Sequence, residues 1–355
     1  MAILWAVAAS RAGAIDLVAL TTAAGNVASD LTYAAAWTAL QAAGCHAPAS
    51  TTDAAAGAGS GTDGGKTSWA CPPVGRGALE ELESDGFMGG DGLGGLSANF
   101  PPPPVAFEDA EASDTLLVRT LLAAPDRTVT VVCLGPLTNL AAAERLNPGI
   151  LRRAKEVVVM AGAFSVSGNI TPDAEFNVLM NPESYRDTLA AVDVTFLPLD
   201  VTNELKVGVP EIERLTAFGA SAITSSGGAG FAATVRAATA VATPAEKLLG
   251  LVEGLWRFMV HQTLNFKQSA GKEVMLLHDG GAVGYVLYPS LFLLRRGAVR
   301  VDCSPAGHPS RGRTSVDARL TFGAAPNGWV ALRVEAPSAV AAFIEDMQSL
   351  VEQLP

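Results

Sequence analysis

Asn169, Glu175 and Asn177 fall in one short stretch, VVVMAGAFSVSGNITPDAEFNVLMNPES, residues 157–184. The stretch opens as an apolar strand and then gathers two amides and a carboxylate. Amides donate and accept, and carboxylates accept from hydroxyls, so the set suits a polyhydroxylated ligand such as a sugar. A second pair, His278 and Asp279, follows the apolar run 273–277. An imidazole beside a carboxylate is equipped to move a proton or to help hold a metal ion. The pattern recurs after other apolar runs: Asn26 after 15–22, Thr138 and Asn139 after 128–134, and Asp200 with Thr202 at the end of 194–200.

These residues need elements to position them. The runs 15–22, 128–134, 156–162, 194–200 and 273–277 are near-continuously apolar rather than alternating. That marks parallel strands covered on both faces. Helical patterns lie between them. In NPESYRDTLAAV, Asn181 is placed to cap, Pro182 to take the first helical position, and Glu183 to sit near the positive end of the dipole. AEKLLGLVEGLWRFMVHQTL and SAVAAFIEDMQSLVEQL read as amphipathic helices. The expectation is an α/β fold, an open, mostly parallel, doubly wound sheet flanked by helices, spanning 1–355 as a single domain. In such sheets ligands bind beyond the carboxyl ends of the strands, where the polar residues above fall. A Gly-, Ala- and Pro-rich insertion at 47–114, containing AAAGAGSGTDGG and PPPP, reads as largely loop.

Each residue also has a plainer structural reading. Asn26 and Asn169 both follow glycine and suit turns. Thr138 and Asn139 can cap the next helix, and Asp200 and Thr202 can serve as turn or cap residues. Glu175 with Asn177, flanking Phe176, and His278 with Asp279 fit such roles less readily.

Composition narrows the partners. The chain has 355 residues, 49% hydrophobic and 17% charged, with a net charge of -11. An acidic chain is a poor partner for nucleic acid, whose binding needs cations that displace counterions. The same holds for an anionic membrane surface. No run reads as a membrane span. The opening MAILWAVAASRAGAIDLVALTT lacks a basic leader and reads as an interior helix followed by a strand. Cys45, Cys71, Cys133 and Cys303 show no zinc or redox spacing, so unpaired thiols in a reducing, cytoplasmic setting are expected, with Cys133 in the core.

The words LTTAAGNV, LGPLTNLA, MAGAFSVSGNITPDAEFNVLMNPES, FLPLDVT, LLHDGGAVGYVLYP and RGRTSVD occur in this order along the chain. Together they resemble the inosine–uridine-preferring nucleoside hydrolase family. The resemblance implies an open α/β sheet with a nucleoside pocket at the strand ends, and hydrolysis of the N-glycosidic bond of ribonucleosides. It assigns the ribose grip to Asn26, Asn169, Glu175 and Asn177, a shared calcium and ribose contact to Asp279, and a main-chain calcium contact to Thr138. It makes His278 the acid that serves the leaving base. It also implies Ca2+ as cofactor and a homodimer or homotetramer. The chain departs from the family in lacking its acidic D-x-D-x-x-x-D-D-A word, so a form shortened by the first strand and most calcium ligands is expected. Met88, in MGGDGLG, stands where a base-contacting His belongs, and the turn after Asp279 reads HDGGA. The alternative expectation is a catalytically inactive module that binds nucleoside or ribose.

Overall fold

The computed structural model describes residues 1–45, 62–63, 66–67, 69–78, 86–225, 242–269, 271–321 and 323–354. The chain begins with α1 (Ala2–Arg11), β1 (Leu20–Thr21), α2 (Ser29–Ala42), β2 (Thr62–Asp63), β3 (Lys66–Thr67) and β4 (Val74–Gly75). It continues through α3 (Ser113–Ala123), β5 (Thr130–Cys133), α4 (Thr138–Leu146), β6 (Glu156–Met160), α5 (Phe176–Met180) and α6 (Pro182–Ala191). Next come β7 (Val194–Leu197), α7 (Leu199–Thr202), β8 (Lys206–Val207), α8 (Val209–Ser225) and α9 (Pro244–Asn265). It closes with β9 (Met275–Leu276), α10 (His278–Leu287), β10 (Phe292–Val301), β11 (Thr314–Asp317), β12 (Gly328–Val334) and α11 (Ala336–Gln353).

The main sheet has six strands in the order β11-β10-β12-β7-β6-β5. From β5 through β6 and β7 to β12 the pairing is parallel, while β10 runs antiparallel to both neighbours. The continuous apolar run of β6 now has its reason. Val157 and Val159 pack with Leu117, Leu140 and Tyr185 on the side of α3, α4 and α6. Val158 and Met160 face the other way, toward Leu199 and Ala282 of α7 and α10. A strand covered on both faces has no position for a polar side chain until it ends. Beyond this sheet, α1, α2, α9 and α11 close around Trp5, Tyr33, Leu40, Leu248 and Phe343. Each such buried side chain contributes roughly 1.5–3 kcal/mol. Two polar tips in this layer share one partner: Asp346 accepts from Trp5 Nε1 at 2.7 Å and from the Tyr288 hydroxyl at 2.8 Å.

Several elements differ from expectation. Of the run 15–22 only Leu20–Thr21 is a strand, and it pairs in parallel with β4, which comes from inside the Gly-rich stretch. That stretch also holds short 3-10 turns at Leu96–Asn99 and Phe107–Asp109. The run 273–277 yields a two-residue strand that pairs antiparallel with β8, outside the main sheet. Strands β10 to β12 were not anticipated. The exposed Arg295, Arg296 and Arg300 break up the apolar signal of β10.

The cysteine reading needs correction. Cys45 and Cys71 form a disulfide, with Cα atoms 5.5 Å apart across a sequence separation of 26. Such bonds persist in oxidising compartments, which runs against the reducing setting expected from spacing alone. Cys133 and Cys303 are free. Among the described residues no helix is long and apolar enough to cross a membrane.

Candidate functional site

The exit of β6 organises the site. Glu175 is the N-cap of α5, and its carboxylate accepts the Asn177 amide at 2.9 Å and the Val178 amide at 3.2 Å. It also accepts the Gly162 amide, just past β6, at 3.1 Å. The Asn177 side-chain nitrogen donates to the Met160 carbonyl at 3.0 Å and the Leu134 carbonyl at 3.3 Å. One amide thus ties the ends of β5 and β6 together. Much of the crowding at this strand end serves backbone groups that would otherwise be buried unpaired. The Asn169 side-chain oxygen accepts from the Phe176 amide at 2.9 Å, fixing the preceding loop. Gly168 is required there, because a Cβ would lie 2.0 Å from the Ala174 carbonyl oxygen.

His278 and Asp279 open α10. The Thr202 hydroxyl, at the end of α7, lies 2.8 Å from His278 Nδ1 and holds the ring. Asp200 is a loop anchor: it accepts the Phe164 amide at 2.9 Å and the Ser165 amide at 2.7 Å. Asn139 donates to the Thr22 carbonyl at 2.9 Å, joining α4 to the end of β1.

Six residues singled out from sequence, Asn26, Asn169, Glu175, Asn177, His278 and Asp279, line one cavity of about 230 Å³. Thr138 is not in that lining, and its hydroxyl accepts from the Asn181 side chain at 3.3 Å. The sequence reading noted Met88 and otherwise missed a second wall. Leu255 and Met259 of α9, Phe266 beyond its end, and Phe87, Met88 and Leu93 of the Gly-rich loop also face the cavity. The signal was present: Leu255, Met259, Gln262 and Phe266 recur at helical spacing, which puts them on one face.

The electrostatics follow from the protein packed around the site. Asp279 is solvent-accessible in the open cavity, yet protein lies close around its carboxyl. Burial pushes its carboxyl up to about 6, with the nearby Met1 amino group partly offsetting the shift. Burial likewise pushes Glu175 up to about 7, against the pull of its three amide donors and with a further push from the Asp279 charge. Burial lowers His278 to about 4, so its ring is neutral near neutral pH.

A family model described as inosine-uridine preferring nucleoside hydrolase matches residues 1–341. This chain is a member of that family. Similar proteins agree. A probable uridine nucleosidase 2 of Oryza sativa subsp. japonica is 26% identical over 283 residues, covering 76% of this chain and 74% of the rice protein. An uncharacterized protein of Schizosaccharomyces pombe is 37% identical over 127 residues, a match spanning 36% of this chain and only 41% of the yeast protein. The solved purine-preferring ribonucleoside hydrolase from Gardnerella vaginalis superposes with a TM-score of 0.73 at 20% identity, covering 99% of this chain and 95% of that one. At that identity the likeness establishes the fold.

Nucleoside hydrolases are glycosidases acting on N-glycosyl bonds, and the family resemblance implies calcium. Calcium takes six to eight oxygen ligands. Among the described residues of this nucleoside hydrolase, no three His, Cys, Asp or Glu side chains form a group that could hold a metal ion. Of the two cavity carboxylates, Glu175 is committed to three amides, which leaves Asp279. Asp91, in the Gly-rich loop, is likewise occupied by the amides of Leu93, Gly95 and Ser97 and the Ser97 hydroxyl. The described donor set does not fit a calcium site.

Proposed function

We propose that this chain hydrolyses the N-glycosidic bond of ribonucleosides, releasing ribose and the free base. One observation carries the reading: the six candidate residues, drawn from three separate parts of the chain, converge on a single cavity in a nucleoside hydrolase fold. Amides and a carboxylate at the strand ends would receive the ribose hydroxyls, with Asp279 accepting where Glu175 is already spent on backbone. In the reaction a water oxygen bonds to the anomeric carbon as the carbon–nitrogen bond breaks. The electron pair of that bond stays with the base, and the water proton ends on the base or in solvent. His278, held through Nδ1 by Thr202, would hydrogen-bond the departing base. Gripping the ribose is useful because contacts that strengthen as the ring distorts lower the barrier. No step is assigned to a metal, because the described residues do not fit one.

That misfit favours a second reading: binding of nucleoside or ribose without turnover. Incubating the protein with inosine and with uridine, and following free base by chromatography, separates the two. Base release that depends on Asn169 and Asp279 supports the enzyme. Saturable nucleoside binding without base release supports the binding module. An assembly of two or four copies, the family expectation, belongs to the same proposal and is read by size-exclusion chromatography with light scattering.

A further inference from the structure

The second wall of the cavity differs in chemistry from the first. Phe87, Met88 and Leu93 from the Gly-rich loop stand with Leu255, Met259 and Phe266 from α9 and its end. None of these side chains can form a strong hydrogen bond. Gln268, past α9, also lines the cavity.

Part of the loop's backbone is committed as well. Asp91 accepts the amides of Leu93 at 2.9 Å, Gly95 at 2.7 Å and Ser97 at 3.1 Å. The Met88 carbonyl accepts from the Gly94 amide at 3.2 Å. The Phe87 carbonyl accepts from the Gln262 side chain, which also reaches the Gly86 carbonyl at 3.4 Å. Gln262 is buried on α9 and belongs to the same helix face as Leu255 and Met259. Two further contacts seat the loop on the helix. Phe87 meets Phe266 edge to face, with ring centroids 5.1 Å apart. Gly94 lies so close to Phe258 that a Cβ would come within 2.5 Å of its ring.

We infer that this wall selects the leaving group by apolar area, favouring ribosides of broad, weakly polar aromatic rings over uridine, and that Gln262 is the positioning residue that holds the wall in place. The inference rests on the proposed ribonucleoside reading and deepens it. Uracil carries two carbonyls and an N–H on a small ring. Burying those against a wall without partners costs free energy. A larger ring with fewer polar edges gains aromatic and thioether contact and loses little.

The test uses the full chain and four ligands: ribose, uridine, inosine and benzimidazole riboside. Dissociation constants come from calorimetry and base release from chromatography, so binding and turnover are read separately. The expected affinity order is benzimidazole riboside, then inosine, then uridine, spanning on the order of tenfold or more. Gln262→Met keeps the volume but removes the donor. It should collapse that spread while leaving the affinity for ribose nearly unchanged. Gly94→Ala, which pushes the loop from α9, should act in the same direction. Uridine binding as tightly as benzimidazole riboside overturns the selection by area. A Gln262→Met protein that keeps the full spread overturns the positioning role. Ordered binding with no base release upholds the wall and removes hydrolysis from the proposed function. Absence of binding by every riboside and by ribose overturns both.

Discussion

The Glu175 carboxylate meets the Gly162 amide at 3.1 Å, bridging the exit of β6 and the start of α5. With the amides of Asn177 and Val178 it satisfies three donors at once. Glutamine offers one acceptor oxygen and turns an NH2 toward those donors. Glu175→Gln should therefore cost about 1–3 kcal/mol, the price of buried groups left unpaired. Denaturant melts measure it, and an unchanged midpoint would refute the capping role.

The same residue sets a pH dependence. Burial raises the folded Glu175 to about 7 from the 4.5 of a free carboxyl. The folded state therefore favours the protonated form. Its contribution is fully present below about pH 4.5 and is lost as pH rises through about 7. Relative to Glu175→Gln, the unaltered protein should lose stability across that window. A flat difference would show that the carboxyl titrates normally.

His278 should behave in the opposite sense. Its folded value falls from 6.5 to about 4, so folding favours the neutral ring. That contribution is complete above about pH 6.5 and disappears as pH falls toward about 4. Ring-proton NMR should show no charge change until the lower value. Thr202→Val, which removes the partner 2.8 Å from Nδ1, should cost about 1–3 kcal/mol and broaden or shift those ring signals.

Gly168→Ala should impair the site without touching any side chain in it. The new Cβ would fall 2.0 Å from the Ala174 oxygen, so the loop carrying Asn169 must move. A cost of about 1–3 kcal/mol is expected for such overpacking. Nucleoside affinity should fall with it, by calorimetry. Retained affinity would mean that Asn169 does not need its present loop.

Reducing Cys45–Cys71 should lower stability by about 3.5 kcal/mol, the chain-entropy value for a loop of this size. Cys71→Ser should show the same loss, and reductant should then have no further effect on the variant. If reductant leaves the melting curve of the unaltered protein in place, the bond contributes nothing.

Calcium should leave the melting temperature of this chain unchanged, since no three described His, Cys, Asp or Glu side chains form a group that could hold it. A stoichiometric, stabilising effect that EDTA reverses would reveal ligands outside the described residues.

The sequence alone carried the α/β class, because β6 and β7 are buried on both faces and are near-continuously apolar. It also carried the polar residues at their exits, because a burial pattern that breaks into Asn, Glu, His or Asp is visible without coordinates. Asn181, with Pro182 after it, announced a helix start, and its side chain does accept the Ser184 amide at 3.1 Å. The tertiary structure decided how those polar groups divide their capacity. Glu175 and Asp279 are both carboxylates by sequence, yet only the fold brings the amides of Gly162, Asn177 and Val178 to one of them and leaves the other facing the cavity. It likewise separated Thr138 from the six residues that share the cavity, joined Cys45 to Cys71, and set Met88 and Phe87 against α9 through Gln262. Burial periodicity is a local property, written in neighbouring residues. Hydrogen-bond allocation and close approach depend on residues far apart in the chain, which only the packed fold brings together.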